Sequence, residues 1–463
     1  MTRTLKTISP VDNRVYVERP FANDTQISTA LKQAASAQHE WKNSPIQERA
    51  TLCLNAVEAI EANTGKIAEE ITWQMGRPIR YTAGEVAGFA QRARYMISIA
   101  EEKLKPIQIP HETGFTRYIK REPLDTLFTI TPWNYPYLTA VNSIIPAIMA
   151  GNAVIMKPSA QTPLTAERIN EAFTRAGLPQ GVFQHLFLNH QQTHALIQAP
   201  EIAMVSFTGS VAGGRAIEQA AAGRFIDINL ELGGKDPAYV REDADIAFSV
   251  ENLVDGAFFN SGQSCCGIER IYVHHAVYDD FVAGFVKLTQ EYKLGNPLDE
   301  NTTLGPMVRT QAADSVRQQI SAAIATGATT CVDESLFAKN KPGTPYVAPQ
   351  VLIDVDHSMS VMRDESFGPV VGIMKVTSDQ QAIELMNDSD YGLTASVWSK
   401  DEQRAIEISE QLNTGTCFMN RCDYLDPALA WTGVKNSGRG VSLSEVAYEH
   451  LTRPKSFHLR THI

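Results

Sequence analysis

Two adjacent cysteines are the residues best suited to nucleophilic chemistry in this 463-residue sequence. Cys265 and Cys266 end the run from Asn260 to Cys266, a Ser- and Gly-containing turn that follows a helical pattern over Leu253 to Phe259. Irregular backbone can direct N–H groups at a sulfur and favour the thiolate, which is the reactive form. Either cysteine could be reactive, and the alternative is that both are small buried apolar residues.

A carboxylate follows a strongly apolar strand pattern. Glu231 comes directly after Ile226 to Leu230 and is followed by Leu232 and two glycines. Proteins of the α/β class build their sites at the carboxyl ends of such strands, and partial burial raises the pKa of a carboxyl group toward the range of a general base. The alternative is a surface loop in which Glu231 pairs with Lys235.

Three other strand patterns also end in turns with polar or glycine residues. Gly209 and Ser210 precede an Ala-rich helix, whose free N–H groups suit a diphosphate, although the phosphate-loop and G-x-G-x-x-G motifs are absent. Lys157 and Ser159 suit ribose hydroxyls or phosphate, or are simply exposed loop residues. The Asn134 amide could donate to an oxyanion or cap the local backbone.

The elements that position these turns alternate between β-rich and helical segments. The alternation runs from Thr126 to Asp236 and again from Arg270 to Trp398, which indicates βαβ units and mostly parallel sheets. Residues 24–102 have helical spacing, whereas prolines bracket β-forming residues over 105–123 and predict a separate hairpin. We predict two α/β domains with a junction near Gly233.

Composition and charge exclude several classes of protein. The apolar content of 43% and charged content of 20% are typical of a globular chain rather than a disordered one. A net charge of −11 without a Lys/Arg-dense run argues against a nucleic-acid partner. The most apolar segment, Val141 to Met156, is interrupted by polar residues, Pro and Gly, so we expect no membrane segment.

The cysteine and histidine patterns indicate the cellular compartment of the protein and whether it binds a metal. Six cysteines without a C-x-x-C pair, and an N-terminus without a secretory signal, predict a cytoplasmic protein. His190 and His194 have i, i+4 spacing, but Gln191 replaces the glutamate of an H-E-x-x-H site. We therefore expect no metal.

Taken together, these segments resemble the aldehyde dehydrogenase superfamily, in family order along nearly the whole chain. The matching runs are Pro132 to Pro136, Lys157 to Ser159, Phe207 to Ser210, Glu231 to Lys235, Asn260 to Cys265, Glu365 to Pro369, Asn387-Asp388, Tyr391 to Leu393 and Gly433 to Gly438. The resemblance implies an NAD(P)-dependent oxidation of an aldehyde to a carboxylic acid. Cys265 occupies the catalytic position of the family, and Cys266 is its neighbour.

The resemblance implies a role for each catalytic residue. Cys265 adds to the aldehyde, and the Asn134 side chain with the Cys265 backbone N–H holds the oxyanion. Hydride loss to a nicotinamide leaves a thioester, which Glu231 hydrolyses by activating water as a general base. Lys157 belongs to both the implied catalytic set and the cofactor set.

The cofactor residues implied by the resemblance come from five separate segments. They are Trp133, Lys157, Ser159, Gly209, Ser210, Gly214, Leu232, Glu365 and Phe367. Enzymes restricted to NAD often carry a glutamate three positions after the lysine, and this chain has Ala160 there. Without that carboxylate a 2′-phosphate meets no like-charge repulsion, so we expect NADP to be used at least as well as NAD.

The family architecture implied for this α/β chain has three parts. A Rossmann-like NAD(P)-binding domain covers residues 1–104 and 124–233, and an α/β catalytic domain covers 234–433. A small β oligomerisation arm covers 105–123 and 434–463. An isolated hairpin is marginal in water, so we expect the arm to pair with another subunit in a homodimer or homotetramer.

The substrate side of the site is less determined. Tyr135, Thr139 and Asn142 fall on one face of the helix after Asn134 and could line the channel for a small-molecule aldehyde. Arg421 could grip the carboxylate of a semialdehyde such as succinate semialdehyde, or pair with a nearby aspartate instead.

Two other functions remain as alternatives. An acylating or acyl-phosphate-reducing member would share the thioester but would not need the water-activating Glu231. A non-catalytic NAD(P)-binding protein of the same fold would not need Cys265, Glu231 and Asn134 together.

Overall fold

The computed structural model describes residues 4–462, so residues 1–3 and Ile463, which we assigned to the first domain and the arm, lie outside the described part. The strands within it are β1 Thr4–Ile8, β2 Val15–Pro20, β3 Ile107–Gln108, β4 Phe115–Pro123, β5 Thr126–Ile130, β6 Ala153–Lys157, β7 Phe183–His185, β8 Ile202–Thr208, β9 Asp227–Glu231, β10 Asp236–Val240, β11 Ile268–His274, β12 Thr329–Thr330, β13 Gln350–Ile353, β14 Val370–Val376, β15 Tyr391–Gly392, β16 Thr394–Trp398, β17 Thr416–Met419, β18 Val434–Lys435, β19 Gly438–Arg439 and β20 Thr452–Arg460.

Helices connect most of these strands. They are α1 Asp24–Trp41, α2 Ile46–Glu61, α3 Thr64–Met75, α4 Ile79–Lys103, α5 Pro136–Ala150, α6 Leu164–Arg175, α7 His190–Ile197, α8 Val211–Ala221, α9 Ile246–Phe258, α10 Tyr278–Thr289, α11 Thr310–Ala325, α12 Ser360–Arg363, α13 Asp379–Asn387, α14 Glu402–Ser409 and α15 Val446–His450. Within residues 4–462, no helix is long and apolar enough to cross a membrane.

The first sheet has six strands in the order β19-β9-β8-β5-β6-β7. Strands β9, β8, β5, β6 and β7 are parallel, and β5 is buried along its whole length. Parallel strands covered by helices on both faces read as continuous apolar runs, which is the predicted pattern. Because the strands are parallel, the turns after Ile130, Lys157, Thr208 and Glu231 meet at one edge.

The second sheet has seven strands in the order β12-β13-β14-β11-β10-β16-β17. All its pairs are parallel except β12 with β13. The chain passes from the first sheet to the second within Leu232 to Lys235, between β9 and β10. The alternation of strand and helix that we predicted is therefore confirmed, and the two sheets are linked immediately beside Glu231.

The arm is a three-stranded sheet in the order β20-β4-β3. Strand β20 pairs with β4 over nine residues, from Thr452 opposite Pro123 to Arg460 opposite Phe115. The strand of the tail that pairs with β4 begins at Thr452, whereas we assigned residues 434–463 to the arm. Residues 438–439 extend the first sheet beside β9, and α15 is held in the core by a hydrogen bond from the Tyr448 hydroxyl to the Met96 carbonyl.

Candidate active site

The edge of the first sheet gathers most of the predicted cofactor residues. Ile130 lies opposite Lys157 on one side and opposite Phe207 on the other, and Thr208 lies opposite Glu231. The turns that follow these strands are therefore neighbours. They carry Trp133, Asn134, Ser159, Gly209, Ser210 and Leu232.

Helix α8 begins at this edge. Its N-cap is Ser210, whose hydroxyl accepts the N–H of Gly213 at 3.2 Å. The backbone of Gly214 packs against Leu232 so closely that a Cβ on Gly214 would lie 2.8 Å from that side chain. The free N–H groups of the first turn and the positive end of the helix dipole fit a phosphate group here.

The turn before the two cysteines has an uncommon backbone. Asn260, Ser261 and Gly262 all have positive φ, and only one of them is glycine. The Asn260 side chain stabilises this turn by accepting from Arg77 Nε at 3.2 Å and donating to the Gln263 carbonyl at 3.2 Å. A Cβ on Gly262 would lie 2.3 Å from the Gly368 carbonyl, so this position requires glycine.

The two cysteines differ in their surroundings. Cys266 is 3% exposed, and its thiol donates to Oδ1 of Asp423 at 3.0 Å. A hydrogen bond with Cys265, together with burial, raises the pKa of the Cys266 thiol well above its ordinary value. Cys265 is partly exposed and lines a cavity. The sulfur at 265 is therefore the better placed nucleophile of the pair.

Asn134 and Gly234 lie where the end of the first sheet contacts the turn that holds Cys265. The Asn134 side-chain amide donates to the carbonyl of Gln263, two residues before Cys265, at 3.2 Å. Its second N–H is available for another acceptor. A Cβ on Gly234 would lie 2.3 Å from the Cys265 carbonyl, so the Glu231-to-Lys235 segment can approach only because it has glycine there.

Glu231 lines the same cavity as Cys265. Its Oε2 accepts the Thr208 hydroxyl at 3.0 Å, and its Oε1 accepts the Ser442 hydroxyl. Burial raises the pKa of Glu231, while these hydrogen bonds and the charge of Arg92 oppose the increase. A carboxyl group with a raised pKa inside a cavity is suited to accept a proton from water near neutral pH.

Glu365 reaches the junction between the sheets. Its Oε1 accepts the N–H of Gly234 at 3.0 Å, and burial raises the pKa of Glu365 to about 8. Phe367 and Trp133 pack edge to face, with ring centroids 5.6 Å apart. Two predicted cofactor residues from distant segments, Trp133 and Phe367, are therefore in contact with each other.

A buried ion pair holds the Glu365 loop. Lys235 Nζ lies 2.5 Å from Oε2 of Glu269, and both groups are buried. Glu269 also accepts the N–H groups of Ser366 and Phe367, at 2.8 and 2.9 Å. Lys235 thus pairs with Glu269 and not with Glu231, which removes the surface-loop alternative for Glu231.

Lys157 and Ala160 lie at the end of β6. Burial lowers the pKa of Lys157 to about 8. Ala160 is exposed, and its carbonyl accepts the Thr7 hydroxyl at 2.8 Å. Ser159 accepts the N–H of Gln161 at 3.2 Å, so its hydroxyl hydrogen can still be donated to a ligand.

A cavity of about 400 Å³ opens beside Cys265 and Glu231. Tyr135, Thr139 and Asn142 line it. Arg421 is different: it is exposed and is not among the residues that line the cavity, although its guanidinium stacks 3.4 Å from the ring centroid of Tyr424, which does line it. Arg421 therefore lies behind Tyr424, next to the cavity lining and not within it.

Four residues that build this site were not predicted from the sequence: Arg77, Glu85, Arg92 and Ser442. Arg77 pairs with Glu85 at 2.5 Å and also donates to the Asn134 carbonyl, which orients the oxyanion candidate. Ser442 reaches Glu231 from 211 positions away in the sequence, and Arg92 enters the cavity from α4. Each lies in a segment whose local pattern contains only helix or loop signals, so only the folded chain reveals them.

Comparisons with known proteins agree with this geometry. The model of the "Aldehyde dehydrogenase family" matches residues 1–457. A succinate-semialdehyde dehydrogenase, NADP(+), of Deinococcus radiodurans is 33% identical over 98% of this chain and 94% of its own length. A succinate semialdehyde dehydrogenase, NAD(P)+, of Escherichia coli K12 is 33% identical over 94% of each chain.

Solved structures show the same similarity. A succinic semialdehyde dehydrogenase from Streptococcus pyogenes, in complex with NADP+, superposes with a TM-score of 0.94 at 28% identity, covering 98% of this chain and 100% of that one. An NADP-dependent glyceraldehyde-3-phosphate dehydrogenase from Bacillus halodurans gives 0.93 at 31% identity, covering 100% and 96%. The predicted α/β fold and family are confirmed, and the chain belongs to the aldehyde dehydrogenase family.

Proposed function

We propose that this enzyme oxidises an aldehyde to a carboxylic acid with NADP, and accepts NAD, through a thioester on Cys265. The observation that carries the proposal is that Cys265 and Glu231 line one cavity, while Asn134 contacts the turn that holds Cys265. A nucleophile, a buried carboxyl group and an amide donor are the groups that acyl chemistry needs.

The proposed reaction begins with addition of the Cys265 thiolate to the carbonyl carbon. The free N–H of the Asn134 side chain and the Cys265 backbone N–H stabilise the oxyanion. Bound NADP supplies the acceptor for the hydride that leaves this carbon. Glu231 then takes a proton from water, the hydroxide attacks the thioester carbon, and the C–S bond breaks to release acid and thiolate.

The residues at the sheet edge fit a dinucleotide. Helix α8 presents its N-terminus for the diphosphate, and Glu365 keeps one carboxylate oxygen available for a ribose hydroxyl. Lys157 and Ser159 would hold the adenosine ribose and its 2′-phosphate. Ala160 presents no carboxylate to repel that phosphate, which supports NADP as the cofactor.

The relatives' names support the substrate class. Two relatives at 33% identity are named for succinate semialdehyde and for NADP(+) or NAD(P)+. We propose a small polar or ω-carboxylated aldehyde, such as succinate semialdehyde, for this chain. Tyr135, Thr139 and Asn142 supply polar groups in the cavity that suit such a substrate.

Assembly and compartment complete the proposal. The arm sheet leaves most residues of β20 exposed, and pairing with another subunit would cover this surface. We propose a homodimer or homotetramer joined through the arm. Six free cysteines support a reducing, cytoplasmic location.

The test is a panel of aldehydes with NAD or NADP, with and without coenzyme A, followed by reduced cofactor and by product analysis. We expect the free acid to form at full rate without coenzyme A, with NADP used at least as well as NAD. We expect Cys265→Ala to be inactive. A requirement for coenzyme A or phosphate, or full activity of Cys265→Ala, would overturn the proposal.

A further inference from the structure

Arg92 is a buried cation in the wall of the cavity. It lies on α4, is 8% exposed, and lines the same chamber as Cys265. Its Nη1 donates to the Leu138 carbonyl at 2.7 Å and to Oδ1 of Asn142 at 3.2 Å. Both acceptors are neutral, and Arg92 forms no ion pair within residues 4–462, unlike Arg77, which pairs with Glu85.

A buried guanidinium without a carboxylate partner is costly. Arginine keeps its charge at any working pH, so it cannot relieve the cost by losing a proton. The buried carboxyl group of Asp423, which lines the same cavity, can do so, because burial raises its pKa against the charges of Arg77 and Arg92, and a proton makes it neutral. Arg92 has no carboxylate in direct contact among the described residues, although Glu85 and Glu231 line the same cavity and their charges act on it.

Asn142 adds a second donor at the same place. Its Oδ1 is occupied by Arg92, and its Nδ2 is buried without a hydrogen-bond partner. A carboxylate has two acceptor oxygens, and a guanidinium with an adjacent amide N–H matches them. The same neighbourhood holds the reacting groups, since the charge of Arg92 acts on Glu231.

We propose that Arg92, assisted by the Asn142 amide, binds the terminal carboxylate of the aldehyde substrate and so selects short ω-carboxylated aldehydes. This inference deepens the proposed function and rests on it. In this proposal Arg92, which lines the cavity, takes the place of Arg421, which is exposed and not among the lining residues, as the carboxylate anchor. Arg92 acts in binding and positions the aldehyde carbon at Cys265.

The alternative substrate for this cavity is an aldehyde that carries a positive charge. Four carboxyl groups line the cavity and would attract an ammonium group: Glu85, which is paired with Arg77, Glu231, which accepts two hydroxyl groups, Asp255 and Asp423. Asp423, however, already accepts from the Ser264 hydroxyl at 2.8 Å and from the Cys266 thiol, and Asp255 is exposed at the mouth. Arg92, in contrast, donates only to neutral acceptors, and the Nδ2 atom of Asn142 beside it has no partner, so the observations favour the anionic substrate.

The test compares 4-oxobutanoate, pentanal and 4-aminobutanal as substrates of the wild type, Arg92→Gln and Arg92→Lys. We expect the wild type to prefer 4-oxobutanoate. Arg92→Gln should lose about 10- to 100-fold in kcat/KM for 4-oxobutanoate, mostly through KM, with a much smaller loss for pentanal. Arg92→Lys should lose less. Arg94→Gln, on the exposed face of α4 where it pairs with Glu61, is the matched control and should behave as the wild type.

Three results would overturn the inference: equal losses for 4-oxobutanoate and pentanal in Arg92→Gln, a wild-type preference for 4-aminobutanal, or loss of the carboxylate preference in Arg421→Ala instead. If Arg92→Gln does not fold, inhibition of the wild-type enzyme tests whether the cavity binds a carboxylate. Succinate should inhibit at least tenfold more strongly than succinamide. Equal inhibition by the two compounds contradicts the inference. Failure of the proposed function is distinct, because the wild type would then oxidise none of the three aldehydes.

Discussion

The Ser442 hydroxyl donates a hydrogen bond to Oε1 of Glu231. This contact joins the segment after β19 to the end of a central strand of the first sheet. The Thr208 hydroxyl donates to the other oxygen, so both carboxylate oxygens are held by hydroxyl groups. Hydroxyl donors favour the ionised form of a buried carboxyl group, which is the form that a general base needs.

Ser442→Ala should move the pH dependence of the reaction. Burial raises the pKa of Glu231 and the Ser442 hydrogen bond lowers it, so removing the bond raises the pKa further. Because the base works deprotonated, the acid limb of kcat should shift by about one pH unit to higher pH. Ser442→Thr keeps the hydroxyl and should keep the wild-type profile. An unchanged acid limb in Ser442→Ala would contradict the role given to this contact.

Ala160→Glu should change the cofactor preference. The side chain at 160 is exposed, so a glutamate can be accommodated and would repel a 2′-phosphate while accepting a ribose hydroxyl. We expect the ratio of kcat/KM for NADP to that for NAD to fall about tenfold or more. Ala160→Gln has nearly the same size without the charge and should change the ratio much less. An unaltered NADP preference in the glutamate variant would count against this explanation.

Lys157 should give NADP use its own pH dependence. Its pKa is lowered to about 8 by burial, so the ammonium group is charged below that pH and becomes neutral above it. We expect kcat/KM for NADP to fall above about pH 8, and kcat/KM for NAD to fall less because NAD lacks the 2′-phosphate. Lys157→Arg should extend NADP use to higher pH. Parallel profiles for the two cofactors would argue that Lys157 does not contact the phosphate.

The ion pair of Lys235 and Glu269 should matter for stability. Glu269→Leu leaves a buried ammonium group unpaired, and we expect the free energy of unfolding in urea to fall by about 3–5 kcal/mol. The double variant Lys235→Met with Glu269→Leu removes both charges and should recover much of that loss. Equal stability of the single and double variants would show that the unpaired ammonium group is not the cause of the loss of stability.

The strand ends of this protein were predictable because their patterns are local. A buried parallel strand such as β5 reads as an apolar run, and the polar turn after it must lie at the carboxyl edge of the sheet. Asn134 and Glu231 could be proposed in this way, whereas Cys265 was proposed from the Ser- and Gly-containing turn that follows a helical pattern. The distances between these three residues could not be predicted, because they depend on how the two sheets are joined.

The supporting residues were not predictable for the same physical reason. Arg92 has an ordinary place in a helical pattern, and its contact with Asn142 crosses 50 positions in the sequence. Ser442 lies near the end of the chain, where we expected arm strands and where the structure has a return to the first sheet. Long-range side-chain contacts of this kind leave no periodic signal in a single sequence.

The central claim is that the substrate carbon becomes bonded to the sulfur of Cys265. The most direct measurement is a rapid-quench reaction of Glu231→Gln with aldehyde and NADP, with mass spectrometry of the peptide that contains both cysteines. We predict a burst of up to one reduced cofactor per active site and an acyl group on Cys265. An acyl group on Cys266, or a burst that leaves both sulfurs unmodified, would contradict the account.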